Sequence, residues 1–325
     1  MEYKKILITG SAGFIGFHTS KTILEKYKDI KIIGIDDMND YYNPILKEKR
    51  NEILKKFQNY EFIKLDFSDP NKLNETLKDK GIDLIIHLGA QAGVGYSIDH
   101  PFVYEKTNLL GTLSIFEFAR HNNIKKVIYA SSSSVYGGND SNINSETDPV
   151  DKPISLYAAT KKSCELIAYA YYNLYKIEMI GLRFFTVYGE WGRPDMALWI
   201  FVNNILKNKE IKVFNNGNSY RDFTYVSDIV EGILICIKNE MKYEIFNIGK
   251  GNPNKLLDFI KEIEINFNKI SKKNYLPLQK GDVIKTYADI SKLKKYGYSP
   301  KVSMKEGIKR FTNWFKENYD WLKEI

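Results

Sequence analysis

The chain has 325 residues, 43% of them hydrophobic and 14% aromatic, the make-up of a globular protein and not of a disordered one. No apolar stretch approaches the ~18 residues that a membrane-spanning helix needs. The four histidines and the two cysteines, Cys164 and Cys236, show no metal-type spacing, so no metal is expected and the thiols read as buried and free. Net charge is +8, but the lysines are interleaved with glutamates, which describes a solvated surface better than a nucleic-acid-binding face.

The first element, Lys5 to Thr9, reads as a buried strand, and residues 14–27 as the helix after it. Between them lies Thr9-Gly10-Ser11-Ala12-Gly13-Phe14-Ile15-Gly16, with glycines at intervals of three. Gly10 permits the tight turn, Gly13 lets backbone approach a pyrophosphate, and Gly16 lets the helix pack on the strand while its first amides face the anion. Because this strand starts almost at the N-terminus, a cleavable export signal is not expected and a cytoplasmic location is. The second strand, Lys31 to Ile35, ends at Asp36-Asp37, twenty residues beyond Gly16. A carboxylate there accepts the adenosine ribose hydroxyls and repels a 2′-phosphate; no Arg or Lys follows closely, so NAD is expected over NADP. Asp37 is the competing candidate. Asp66, closing the strand Tyr60–Leu65, is a candidate for the adenine amino group.

Further strands are expected at Leu84–Leu88, Val127–Ala130 and Met179–Arg183, with helices between. This alternation predicts a doubly wound, Rossmann-type parallel sheet covered on both faces. Ser131-Ser132-Ser133-Ser134-Val135-Tyr136-Gly137 follows one of these strand ends, where such sheets place ligand contacts and a hydroxyl can hold a reacting oxygen. Tyr157 and Lys161 stand four apart in a helix that runs through Ile167 and Tyr171, on one face. Free phenols ionise near about pH 10, and a neighbouring ammonium favours the phenolate, as a base at neutral pH requires. After residue 185 prolines and an Asn-Gly turn break the rhythm. Residues 1–185 are therefore expected to form the cofactor-binding domain, with segments around 223–238 returning to it, and 186–325 mainly a smaller substrate lobe.

The glycine turn, the acid, the Ser run with Val135-Tyr136-Gly137 and the Tyr157/Lys161 pair resemble, in this order, the extended short-chain dehydrogenases/reductases. Within them the longer runs are most similar to UDP-glucuronate 4-epimerases: residues 87–94, 131–137, 153–162, 182–189, 192–197 and 221–225. The resemblance implies an NAD-dependent UDP-sugar 4-epimerase, with UDP-glucuronate to UDP-galacturonate favoured. It makes Tyr157 the base, Ser132 the catalytic hydroxyl and Lys161 the ligand of the nicotinamide ribose. Ser133, Ser134, Thr186 and Arg193 fall on the substrate side, Arg193 toward a hexuronate carboxylate. Arg221 is implied to bind the diphosphate and Asp282 the uridine ribose, against the local alternatives of an Arg221–Asp222 ion pair and an ordinary turn residue.

Three details bear on the chemistry. Similar 4,6-dehydratases carry Asp-Glu where this chain has Ser133-Ser134, so elimination lacks its acid and base. Thr286 matches the position that limits sugar size in related epimerases, and its small side chain implies room. Gly95 stands where glucuronate epimerases carry Arg, which favours a neutral UDP-hexose or UDP-N-acetylhexosamine; a UDP-glucuronate decarboxylase and a non-catalytic nucleotide-binding protein are further alternatives. A homodimer is expected, because residues 103–119 and 156–175 read as helices apolar on more than one face.

Overall fold

The computed structural model describes residues 2–137, 143–278, 281, 283–323 and 325. Seven strands make one sheet: β1 (Lys5–Thr9), β2 (Lys31–Asp36), β3 (Tyr60–Lys64), β4 (Leu84–His87), β5 (Lys126–Ser132), β6 (Glu178–Phe184) and β7 (Tyr243–Ile248). Their spatial order is β7-β6-β5-β4-β1-β2-β3, and every pairing is parallel. This is the expected doubly wound arrangement, reversing direction of travel between β1 and β4.

Alternation along the strands builds two apolar layers. Ile6 and Ile8 of β1 face one layer, with Phe17 and Ile23 of α1 (Phe14–Lys26). Leu7 faces the other, with Phe116, Ala119 and Cys164. α2 (Ile45–Leu54) packs at the first layer, and α3 (Pro70–Leu77), α4 (Gly111–His121) and α5 (Leu156–Tyr175) cover the second. The run expected as helix over 103–119 is helical, but Glu105–Leu110 is wound as a π-helix between Pro101–Tyr104 and α4.

The second lobe contains α6 (Ala197–Leu206), then the chain returns to the sheet through α7 (Val226–Lys238) and β7. The return thus includes one strand more than the sequence reading placed there. The lobe continues with α8 (Leu256–Phe267) and α9 (Met304–Glu317) and short strand pairs. Aromatic stacking fills it: the rings of Phe223 and Phe259 lie parallel with centroids 4.0 Å apart. Cys164 and Cys236 are buried and free, and burial pushes the Cys236 thiol up to about 12. Among the described residues no helix is long and apolar enough to cross a membrane.

Candidate active site

A cleft of about 360 Å³ opens at the C-terminal ends of the sheet strands. It is lined by Gly10, Gly13, Phe14, Ile15, Gly16, Asp36, Asp66, Ser132, Ser133, Ser134, Tyr157, Lys161, Thr186 and Arg193. Residues separated by up to 183 positions in the chain, Gly10 to Arg193, therefore share one concavity.

The glycine turn fits a dinucleotide because backbone, not side chains, fills it. Gly10 has φ +65°, and a Cβ there would lie 2.7 Å from Gly89 Cα. A Cβ on Gly16 would lie 2.1 Å from the Gly10 carbonyl oxygen, so any other residue would push α1 off the strand. The N-cap of α1 is Gly13, which offers no side-chain acceptor, and the first amides of the helix are left for an anion.

Asp36 is buried at the end of β2, where its Oδ1 accepts from the Met38 amide at 2.9 Å. Burial pushes its carboxyl above the usual range, opposed by Lys47 and the backbone amides. No Arg or Lys follows Asp36 closely in the sequence, but Lys47, eleven residues on, approaches it in space: its Nζ is 4.0 Å from Asp36 Oδ1 and donates to the Asn39 carbonyl at 2.9 Å. The cofactor acid thus carries a nearby ammonium that Asn39 holds in place. Asp37, the competing acid, spends its oxygens on Asn39. Asp66 is half-buried; Ser68 and Lys106 hydrogen-bond its carboxylate and, against burial, keep it below the usual range.

Ser155 caps α5, its Oγ accepting from the Ala158 amide at 3.1 Å, so the helix begins at Leu156 and Tyr157 lies in its first turn. Among the described residues the Tyr157 hydroxyl makes no hydrogen bond, while Lys161, buried, donates to the Ala130 carbonyl at 2.8 Å. Ser132 donates to Ser134 Oγ at 3.1 Å and ends β5 facing the cleft. Below it, Ser131 donates to Glu165 at 2.7 Å, and Arg183 clamps the same carboxylate through Nε at 2.8 Å and Nη2 at 2.9 Å. This ion pair is fully buried and bidentate, which fixes the strand end rather than exposing charge. His87 lies beneath the floor between Thr9 at 2.7 Å and Thr112 at 3.1 Å, and burial with Lys161 nearby pushes its ring down to about 3, so it is neutral.

On the sugar side Thr186 and Arg193 line the cleft, but Arg193 is already paired with Asp195. Arg221 is not among the lining residues; its Nη1 donates to the carbonyls of Tyr220 and Ile284, both at 3.0 Å. Among the described residues no Arg221–Asp222 ion pair forms either. Asp222 is buried and accepts from the amides of Lys250, Gly251 and Ala288. Thr286 is also away from the cleft lining, with its hydroxyl accepting from the Asp222 amide at 3.1 Å. Asp282 lies outside the described residues. Gly95, itself exposed, caps the short helix Tyr96–Asp99 beyond the lining residues Gly93 and Val94.

Sequence reasoning missed three contributors. Tyr41 and Lys47 line the cleft from the segment behind Asp36. Arg50 of α2, fully buried, donates to the Ala12 carbonyl in the glycine turn at 2.9 Å, to Tyr42 Oη at 2.8 Å, and to the carbonyls of Trp191 and Gly192. It ties the cofactor turn to the strap that carries Arg193. A signal existed only for Tyr41, whose Tyr-Tyr pair sits in a polar turn.

The chain has relatives of known family over its whole length. The chain is 64% identical over its whole length to an uncharacterised protein of Methanocaldococcus jannaschii that it covers fully. It is 41% identical to a UDP-glucuronate 4-epimerase of Thermodesulfobacterium geofontis, over 98% of both chains. A crystal structure of UDP-glucuronic acid 4-epimerase from Bacillus cereus, in complex with UDP-glucuronic acid and NAD, superposes with a TM-score of 0.89 at 34% identity, over 97% of this chain and 100% of that one. Residues 6–249 match the family described as NAD dependent epimerase/dehydratase, and the chain belongs to that family.

Proposed function

We propose that this protein is an NAD-dependent epimerase that interconverts UDP-glucuronate and UDP-galacturonate by transient oxidation at sugar carbon 4. The observation that carries the reading is the convergence of Tyr157, Lys161, Ser132 and Arg193 on the cleft that holds the glycine turn. When bound there, NAD supplies reversible oxidation at that carbon. Tyr157, with a free hydroxyl in the positive first turn of α5, takes the 4-hydroxyl proton and later returns it. Lys161, held by the Ala130 carbonyl, places an ammonium beside the cofactor ribose. Ser132 orients the reacting oxygen. Ser133 and Ser134 give this wall hydroxyls and no carboxylate, so water is not eliminated from the sugar.

Arg193 reads the substrate carboxylate, with Thr186 beside it; Arg221 and Asp282 are assigned to the nucleotide end. Residues 1–185 with the segment through β7 serve the cofactor, and the remainder mainly the nucleotide sugar. The protein acts as a homodimer: Phe102, Leu166 and Leu174 are 82%, 61% and 69% exposed on the π-helix and α5 side, and a dimer mass by light scattering checks this.

A second reading, a neutral UDP-hexose as substrate, is favoured by the Arg193–Asp195 pair, which is neutral overall. Competition among UDP-glucuronate, UDP-glucose and UDP-N-acetylglucosamine, with sugar analysis of the product, decides between them. UDP-galacturonate as the main product supports the proposal, and preference for a neutral sugar overturns it.

A further inference from the structure

We propose that Asp195 is a positioning residue for substrate choice: it aligns Arg193 for the sugar carboxylate, and Tyr41 holds Asp195 in place. This rests on UDP-glucuronate being the substrate.

A guanidinium can meet a carboxylate two-handed along either of two edges, the side edge of Nε with one terminal nitrogen or the end formed by both terminal nitrogens. Asp195 takes the side edge. Arg193 Nε donates to Oδ1 at 2.9 Å and Nη2 to Oδ2 at 2.7 Å. What remains is the terminal edge. There Nη2 also reaches the thioether of Met196 at 3.6 Å, a weak acceptor, and Nη1 makes no hydrogen bond among the described residues. Arg193 and Met196 line the cleft and Asp195 does not, so the occupied edge belongs to the wall and the open edge to the ligand.

Asp195 is itself oriented by a residue distant in the chain. Tyr41 donates its hydroxyl to Asp195 Oδ2 at 3.2 Å, and its ring meets Tyr96 edge-on with centroids 4.8 Å apart. Burial, with Asp195 beside it, pushes this phenol up to about 12, so it remains a donor across the working pH range. Tyr41 lies in the segment behind Asp36, and so the carboxylate reader is braced from the cofactor side. Because the pair is neutral overall, discrimination between acidic and neutral sugars comes from the direction of two N–H groups more than from net charge. It is correspondingly insensitive to salt.

The test uses the NAD-loaded protein with UDP-glucuronate and UDP-glucose, measuring kcat and KM separately. Asp195→Asn keeps one acceptor but turns an N–H toward Nη2, so Arg193 swings off its line. The expected result is a KM for UDP-glucuronate raised about tenfold, with a smaller change in kcat and a fall in the acidic-to-neutral specificity ratio. Tyr41→Phe moves the ratio the same way by less, and Asp195→Glu restores part of it. An Asp195→Asn protein that binds UDP-glucuronate more tightly overturns the proposal, because Asp195 would then be a competitor for Arg193. Equal losses on both sugars overturn it too, because the role would then be structural. A wild type without preference for the acidic sugar refutes the substrate reading itself, before any variant is made.

Discussion

In the cofactor half of the cleft, five of the eight consecutive residues from Thr9 to Gly16 line the cavity, and the properties that shape this turn belong to the backbone. The sugar half is assembled differently. Thr186 and Arg193 come from a strap beyond β6, braced by neighbouring Asp195 and by Tyr41 and Arg50 from other parts of the chain, while Arg221 and Thr286 hydrogen-bond backbone groups. One half is specified by a contiguous motif and a strand order, the other by tertiary contacts among side chains. The first tolerates almost no change at its glycines; the second can be retuned one residue at a time.

The largest effect is expected at the seam between the halves. Tyr157→Phe should lower turnover by about a thousandfold or more, within the range for loss of a general base, while NAD binding measured by calorimetry stays near wild type. Retained turnover would remove the assignment. Gly16→Val should then break the cofactor half alone, since its Cβ meets the Gly10 oxygen at 2.1 Å. NAD affinity should collapse with the sheet still formed by circular dichroism; unchanged affinity would mean the turn is not the phosphate cradle. The smallest effect concerns pH. His87 is held neutral, its ring pushed down to about 3, whereas an unfolded histidine ionises near about 6.5. The unfolded state therefore binds the extra proton between these values, and stability falls as pH drops below about 6.5, by up to about 1.4 kcal/mol per unit for this ring. Urea unfolding at pH 7 and pH 5 should show a loss that is smaller in His87→Asn; identical losses in both proteins would discount the ring.

The difference between the halves also explains what could be read in advance. Glycine spacing, the strand before it and the acid twenty residues on are local, and the structure places the glycines and the acid in the cleft. Lys47 was not readable, because it stands eleven residues beyond Asp36 and approaches it only through the turn that Asn39 organises. Arg50 lies in a helix rich in Lys and Glu that reads as a solvated face, yet it is fully buried. The strand β7 was missed because its partner β6 lies more than sixty positions earlier, Tyr243 pairing with Met179, and periodicity carries no record of such a pairing. Asp195, two residues from Arg193, was visible as a letter but not as the holder of one particular guanidinium edge.

Arg50 has one more consequence. Its four acceptors are three carbonyls and a phenol, with no carboxylate within ion-pair distance among the described residues. Swinging the strap at 191–192 away from the glycine turn would take two of the four acceptors from a buried cation, which is costly unless water floods in behind it. Opening wide enough to release a dinucleotide is therefore a rare event, whereas the sugar end can exchange its occupant without disturbing that guanidinium. The residence time of the cofactor should outlast many visits of substrate, which is the kinetic order that a reaction with no net redox change requires.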